Sequence, residues 1–182
     1  MMYDKVLIGK KIGTGGDRKV YLYGDNEVIK FSSLSFLVGD KLHRKLCNDY
    51  ATAQHYFFDY VVKTTDVSTP KQHVEIQPRI VGELLRKHHA DNPDVKRQLK
   101  EIAAALERMV QDGLPPLDLV GNGGMFSDCL SNIMVDSSNA LRIIDTTLLE
   151  GKSVFPLGAL LELFIPIIIA RQQKLLRNFL GE

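Results

Sequence analysis

Two cysteines, Cys47 and Cys129, are all that 182 residues contain, and no Cys-x-x-Cys occurs. That is too few for a disulfide framework and suits a reducing compartment. Strongly basic runs are also absent. Lys+Arg (23) and Asp+Glu (22) nearly cancel, so nothing argues for nucleic acid as the main partner. Residues Met1 to Gly13 are mixed polar and apolar and lack the apolar run of a signal peptide. Long hydrophobic runs are missing too. Val154 to Ala170 is rich in Leu and Ile, but Pro156, Glu162 and Pro166 interrupt it. The uninterrupted pieces fall far short of the roughly 20 apolar residues of a spanning helix, so a buried core helix is expected and no membrane span. What remains is an ordinary globular balance, 45% apolar and 25% charged, long enough for one domain or a small two-lobed one.

The first third reads as strands. Val6–Ile12 leads into Gly13-Thr14-Gly15-Gly16, Lys19–Tyr23 alternates, Gly24-Asp25-Asn26 signals a turn, and Glu27–Phe31 follows, giving an antiparallel meander. Gly39–Tyr60 is expected helical. Asp59–Thr65 and His73–Ile76 are expected strands, with Ser68-Thr69-Pro70 turning between them. Asn92-Pro93-Asp94 then starts a helix: a capping side chain, proline in the first turn, an acid. Leu99, Ile102, Ala103, Leu106, Met109 and Val110 recur at helical spacing, and Gly113 ends it. Leu114 to Asp128 is a Gly- and Pro-rich loop. Ile133–Val135 and Leu141–Ile144 form a hairpin around Asp136-Ser137-Ser138-Asn139, and the chain from about Phe155 is helical. A β-rich first half and an α-rich second half imply two lobes, with the boundary near Gln77–Gly82.

Three motifs carry chemistry. Ile12-Gly13-Thr14-Gly15-Gly16-Asp17-Arg18-Lys19-Val20 joins strand to strand. A Rossmann fingerprint must open a helix, and a P-loop must end in Gly-Lys-Ser/Thr. Neither holds here. A glycine turn between strands can bring backbone N–H groups close to phosphates. Glu27-Val28-Ile29-Lys30 places a lysine on the strand one hairpin later. Asp128, Asn132 and Asp145 flank an apolar hairpin, which brings Asn132 and Asp145 to the same end of two paired strands. Phosphoryl transfer needs oxygen ligands for Mg²⁺ and a carboxylate near the attacking hydroxyl.

In this order the motifs resemble the protein-kinase-like superfamily. Gly13, Gly15 and Val20 match its GxGxxGxV loop, with Arg18 where the third glycine would stand. Lys30 resembles the Val-Ala-Ile-Lys lysine, and Gln77-Pro78-Arg79-Ile80-Val81-Gly82-Glu83-Leu84-Leu85 resembles the hinge. The resemblance implies an α+β, two-lobed minimal kinase-like fold, with a β-rich N-lobe over 1–79 and a reduced helical C-lobe over 80–182. It implies ATP and Mg²⁺ as cofactors. Gly13, Gly15, Val20 and Lys30 would hold phosphates, Gln77 and Arg79 would offer backbone groups to adenine, Asn132 and Asp145 would hold Mg²⁺, and Asp128 would serve the acceptor hydroxyl. A protein hydroxyl is the expected acceptor, Ser/Thr ahead of Tyr. The small size resembles the minimal kinases that bacterial pathogens inject into host cells, one of which phosphorylates the chaperone HSP90. Host HSP90 is therefore a candidate substrate. The expected place is the cytoplasm, or a host cell's cytoplasm for such an effector, and the expected state is a monomer.

The chain departs from the kinase pattern in several places. Asp128 and Asn132 are four apart, where kinases usually have five, and no His precedes Asp128. Thr146-Thr147 follow Asp145 in place of Phe-Gly, and no Ala-Pro-Glu follows. Asp49 and Gln54 are the candidate helical partners of Lys30. Two alternatives stand beside the protein kinase. A small-molecule phosphotransferase of the aminoglycoside or choline kinase type would need a helical insertion for which residues 146–182 leave little room. A pseudokinase would fit the altered loop. His43 and His88-His89 show no metal-ligand spacing with Cys47 or Cys129 and read as solvated surface.

Overall fold

Strand residues within 18–32 and 74–78 alternate so that one face of a sheet is apolar while the other collects Arg18, Lys30, Glu75 and Gln77 among apolar neighbours. In the computed structural model, which describes residues 3–15, 18–32, 40–70, 72–121, 128–150 and 158–182, that sheet has five antiparallel strands. They are β1 (Ile8–Thr14), β2 (Arg18–Tyr23), β3 (Glu27–Ser32), β4 (Thr65–Asp66) and β5 (Val74–Pro78), ordered β1-β2-β3-β5-β4. Gly16 and Asp17 of the glycine turn, Asn122 to Ser127 of the long loop, and residues 151–157 before the last helix lie outside the described residues. The expected strand over Asp59–Thr65 is not one. Val61 makes a single bridge to Ile143, and only Thr65–Asp66 pairs with β5.

The chain divides into two compact units, Met1–Cys47 with Val62–Arg79 and Asn48–Val61 with Ile80–Glu182. In the first unit, Tyr23, Ile29, Val67 and Val74 form the core, with Tyr21, Phe31 and Ile76 packed on it. Tyr21 and Phe31 meet edge to face at 5.7 Å, a favoured aromatic geometry. On the opposite face, the register sets Val20 beside Lys30 and Lys30 beside Glu75.

Helix α1 (Asp40–Phe57) crosses the boundary between the units. Residues 48–61, expected with the N-terminal lobe, pack with the second unit instead. Ala53, Phe57 and Val61 are buried in its core, and the Tyr60 carbonyl accepts from Ile143 N at 2.8 Å. Burial of apolar surface thus decides where this stretch belongs.

The second unit has a three-stranded antiparallel sheet, β6 (Gly82–Arg86), β7 (Cys129–Asp136) and β8 (Leu141–Ile143), in that order. It also holds α2 (Pro93–Gln111) and α3 (Gly158–Leu180). Asn92 caps α2, its side chain accepting from Asp94 N at 2.9 Å, and Val95, Leu99, Ile102, Leu106 and Met109 form the buried stripe. Val110 lies off that stripe and is half exposed. Helix α3 continues through Pro166 and buries Leu175, Leu176, Phe179 and Leu180 in the same core. No helix among the described residues is long and apolar enough to cross a membrane.

The segment expected as a hinge ends in a strand. Gly82 lies opposite Asp136, and a Cβ there would collide with the Val135 carbonyl oxygen and sit 2.9 Å from Asp136 Cα. Only glycine admits that approach of β6 to β7. Further along, Leu84 pairs with Met134 but Leu85 with Leu130. The extra residues bulge out of β7, and Ser131 and Asn132 lie in the bulge. Bulges re-aim side chains, and this one carries a candidate metal ligand.

Candidate active site

In the first unit, Lys30 is 7% exposed and stands directly across from Glu75 on the polar face. Glu75 accepts from Arg18 Nη1 at 2.8 Å and meets His73 Nε2 at 2.9 Å. Burial works against its charge, but Arg18, His73 and Lys30 outweigh it and bring the carboxyl pKa down to about 2. An ionised carboxylate is thereby locked beside the lysine. Glu75 was absent from the sequence reading, which looked for the acid on α1. The signal for it was its place, with Gln77, in the polar half of the Val74–Pro78 alternation. Arg18, in the place of a third loop glycine, turns its side chain inward to Glu75.

The glycine turn leaves β1 with Gly13 opposite Val20. Gly15 N–H donates to the Arg18 carbonyl at 2.7 Å. Gln77 is buried in β5, and its amide donates to Thr64 Oγ1 at 2.8 Å. Arg79 N–H donates to the Asn26 carbonyl at 2.8 Å. That commits a backbone donor which the hinge reading had reserved for adenine.

The second unit gathers three of its polar residues around the β7 bulge. The Asn132 amide donates to the Asp118 backbone carbonyl at 2.8 Å. Asn132 N–H donates to the Leu119 carbonyl and Ser131 N–H to that of Val120, so residues 118–121 dock along the bulge. The Asp118 carboxylate accepts from Val120 N at 3.0 Å and Gly121 N at 2.9 Å. Gly121 has φ +57°, and a Cβ there would meet Asn132 Oδ1 at 2.5 Å, so position 121 needs glycine on both counts. Asp118 N–H donates to the Thr147 carbonyl at 2.9 Å, holding it beside the strand end that carries Asp145. Asp145 Oδ1 accepts from Thr147 N–H at 3.1 Å and Thr147 Oγ1 at 2.8 Å.

Asp118 is set up differently from a surface acid. Burial, reinforced by the neighbouring Asp145, raises its pKa against the pull of the Gly121 and Val120 N–H groups. Gln172 on α3 holds both flanks of this residue. Its amide accepts from Leu119 N at 2.8 Å and donates to the Leu117 carbonyl at 2.9 Å, and Gln172 is 1% exposed. Neither Asp118 nor Gln172 was singled out from sequence. The local signal was an acid between two leucines, Leu117 and Leu119, both fully buried.

Asp128 lies elsewhere. It precedes β7 with its side chain 77% exposed, 3.6 Å from Arg86 Nη1. With Arg86, Lys87, His88 and Asp91 it lines a shallow cavity of about 450 Å³. Of the candidate helical acids, Asp49 is 2% exposed and accepts from Leu148 N at 3.2 Å within the second unit. Gln54 is half-buried on the same helix.

The donor set suits a hard cation. The Asn132 nitrogen is engaged by the Asp118 carbonyl, and its amide oxygen, facing Gly121, is the atom that could ligate a cation. With the carboxylate of Asp145 this gives oxygen ligands of the kind Mg²⁺ prefers.

No protein-family model matches this chain, and no curated protein matches it. Solved structures do match. A double mutant of the Mycobacterium tuberculosis PknI kinase domain aligns with TM-score 0.53 and 16% identity over 76% of this chain and 59% of that one. A second double mutant gives TM-score 0.52 and 17% identity over 79% and 60%. A single mutant gives 0.51 and 18% over 76% and 57%. The chain therefore spans about three fifths of the kinase domains it matches. At such identities the likeness speaks for the fold: this chain has a reduced α+β protein-kinase-like fold, with one β-rich unit and one largely helical unit.

Proposed function

We propose that this chain is an ATP- and Mg²⁺-dependent protein kinase, and that Asp118 takes the role the sequence had suggested for Asp128. The observation that carries this reading is the Asn132–Asp118 hydrogen bond. Through the backbone it ties a half-buried acid of raised pKa to the residue pattern expected for metal binding. In the first unit, Lys30, across from Glu75, and the turn with Gly13, Gly15 and Val20 serve the phosphates. In the second, Asn132 and Asp145 hold the cation. Mg²⁺, when bound, offsets charge on the phosphates.

Asp118 orients the acceptor hydroxyl and takes its proton. The hydroxyl oxygen forms the new bond to the γ-phosphorus, the bond to the β–γ bridging oxygen breaks, and ADP leaves. A carboxyl with raised pKa is better matched to that proton transfer near neutral pH than an ordinary aspartate. Adenine recognition falls to backbone groups of the Gln77–Gly82 stretch other than Arg79 N–H, which Asn26 already engages. Ser/Thr as the modified residue, the effector role and HSP90 as substrate rest on the sequence resemblance.

The test is transfer from γ-labelled ATP with Mg²⁺ to a mixed lysate and to purified HSP90, beside Lys30→Ala and Asp145→Ala. Label on protein from wild type and from neither variant supports the kinase. Equal label from all three sinks the site. Absence of protein label, with Mg²⁺- and ATP-dependent thermal stabilisation, overturns the protein-kinase reading in favour of a small-molecule phosphotransferase or a pseudokinase.

A further inference from the structure

The fold assembles a ligand set that sequence spacing did not disclose. His43 and Cys47 are one turn apart on α1, so their side chains share a face. Strand β4, at the sheet edge of the same unit, brings Asp66 to them. Three atoms close a triangle: His43 Nε2 to Asp66 Oδ2 at 3.5 Å, Cys47 Sγ to His43 Nε2 at 3.8 Å, and Cys47 Sγ to Asp66 Oδ2 at 3.7 Å. Tetrahedral Zn²⁺, with Zn–S about 2.3 Å and Zn–N or Zn–O about 2.0–2.2 Å, sets its ligands about 3.4 Å apart for N and O and about 3.6 Å apart for S and N or O. Each observed edge lies within about 0.2 Å of that spacing.

The surroundings also accommodate the imidazole in the ligating form. Glu75, ionised against Arg18, only accepts. His73 Nε2, 2.9 Å from Glu75 Oε1, therefore carries the proton. In neutral His73 the other nitrogen, Nδ1, is an acceptor. His43 Nδ1 lies 3.1 Å from it and is the donor. Ser68 Oγ also lies 3.1 Å from His73 Nδ1 and can donate to it. In that tautomer His43 Nε2 turns its lone pair to the side of Cys47 and Asp66. A metal-ligating histidine whose second nitrogen feeds a chain ending on a carboxylate is the usual outer-shell arrangement. The His43 and Asp66 side chains are 37% and 42% exposed, so the triangle is reachable from solvent.

We propose that His43 Nε2, Cys47 Sγ and Asp66 Oδ2 form a three-ligand site for a borderline-soft divalent cation, Zn²⁺ foremost, with a fourth position open to water. The thiolate and imidazole select against Mg²⁺, whose preference is for oxygen. The site is independent of the phosphotransfer reading. In the metal-free protein the Cys47 thiol donates to Asp66. Metal binding forms the S–metal bond and releases that proton to solvent.

The full chain is titrated with Co²⁺ as a spectroscopic stand-in, then with Zn²⁺. The expected result is a single saturating equivalent, a thiolate-to-cobalt charge-transfer band that Zn²⁺ displaces, and one proton released. Cys47→Ser loses the band, and Cys129→Ser keeps it. Asp66→Asn, at an exposed position that folding tolerates, weakens Zn²⁺ binding by at least about tenfold. No band from wild type overturns the site. So does a band that persists in Cys47→Ser and vanishes in Cys129→Ser, and so does Zn²⁺ affinity unchanged in Asp66→Asn.

Discussion

The Asn132 amide donates to the Asp118 backbone carbonyl at 2.8 Å, across fourteen positions of chain. That bond links a candidate metal ligand on a strand bulge to the backbone of a half-buried aspartate in a loop. It makes the position of one residue depend on the other, and the proposal that Asp118 rather than Asp128 is the acid of the site starts from it.

The first prediction separates those two acids. Asp118→Asn, nearly isosteric, is expected to lower the rate of phosphoryl transfer about 10²–10⁴-fold, the usual worth of a general base. Asp128→Asn, at an exposed residue paired only loosely with Arg86, is expected to leave it near wild type. Single-turnover assays on both variants decide the point, and the reverse ranking returns the role to Asp128. Because burial and Asp145 raise the Asp118 pKa above its ordinary 3.8, the acid limb of the kcat/KM profile should lie above the usual aspartate range.

Gln172 should act as a positioning residue. Gln172→Leu keeps the volume roughly but strands the buried Leu119 N–H and Leu117 carbonyl. Each unsatisfied group costs about 1–3 kcal/mol. The expected outcome is a lower urea midpoint together with a fall in kcat that exceeds any change in KM for ATP. Unchanged kcat in a folded variant would show that Asp118 keeps its place without this clamp.

At Gly82 the prediction concerns stability. Gly82→Ala forces β6 away from the Val135 carbonyl and Asp136 Cα, and overpacking of this kind costs about 1–3 kcal/mol. A lower Tm is expected, read by circular dichroism. Gly13→Ala is the comparison: its added Cβ would stand 3.6 Å from Val20 Cβ, an ordinary contact, so little loss of Tm is expected there.

Acid should unfold the protein partly through Glu75. Its folded pKa of about 2 lies below its ordinary 4.5. The folded state therefore favours the charged form, and the contribution is fully present above about pH 4.5 and lost as pH falls toward 2. Asp136, also held at about 2 chiefly by Ser138 and Ala140 against burial, acts in the same window. Glu75→Gln should be less stable than wild type at neutral pH and show a shallower loss across that window, measured by urea midpoints at stepped pH. Parallel curves would show that Arg18 and His73 do not hold the charge as their distances imply.

Much of the local architecture could be read from the chain alone. The Asn92 cap and the Leu99–Met109 stripe specify α2. Alternation specifies the β2–β3 hairpin with Lys30 on it, and Asp136 to Asn139 the turn between β7 and β8. These features depend on neighbours a few positions away, where backbone sterics and periodic burial act directly. Tertiary structure alone decided which distant groups meet. Arg18 and Glu75 are 57 positions apart, and Gln172 reaches Leu119 across 53. Such pairs are set by sheet register, by a bulge that re-aims Asn132, and by which face of a helix finds the core. A short sequence window carries no record of those choices, because each is settled by packing across the whole unit.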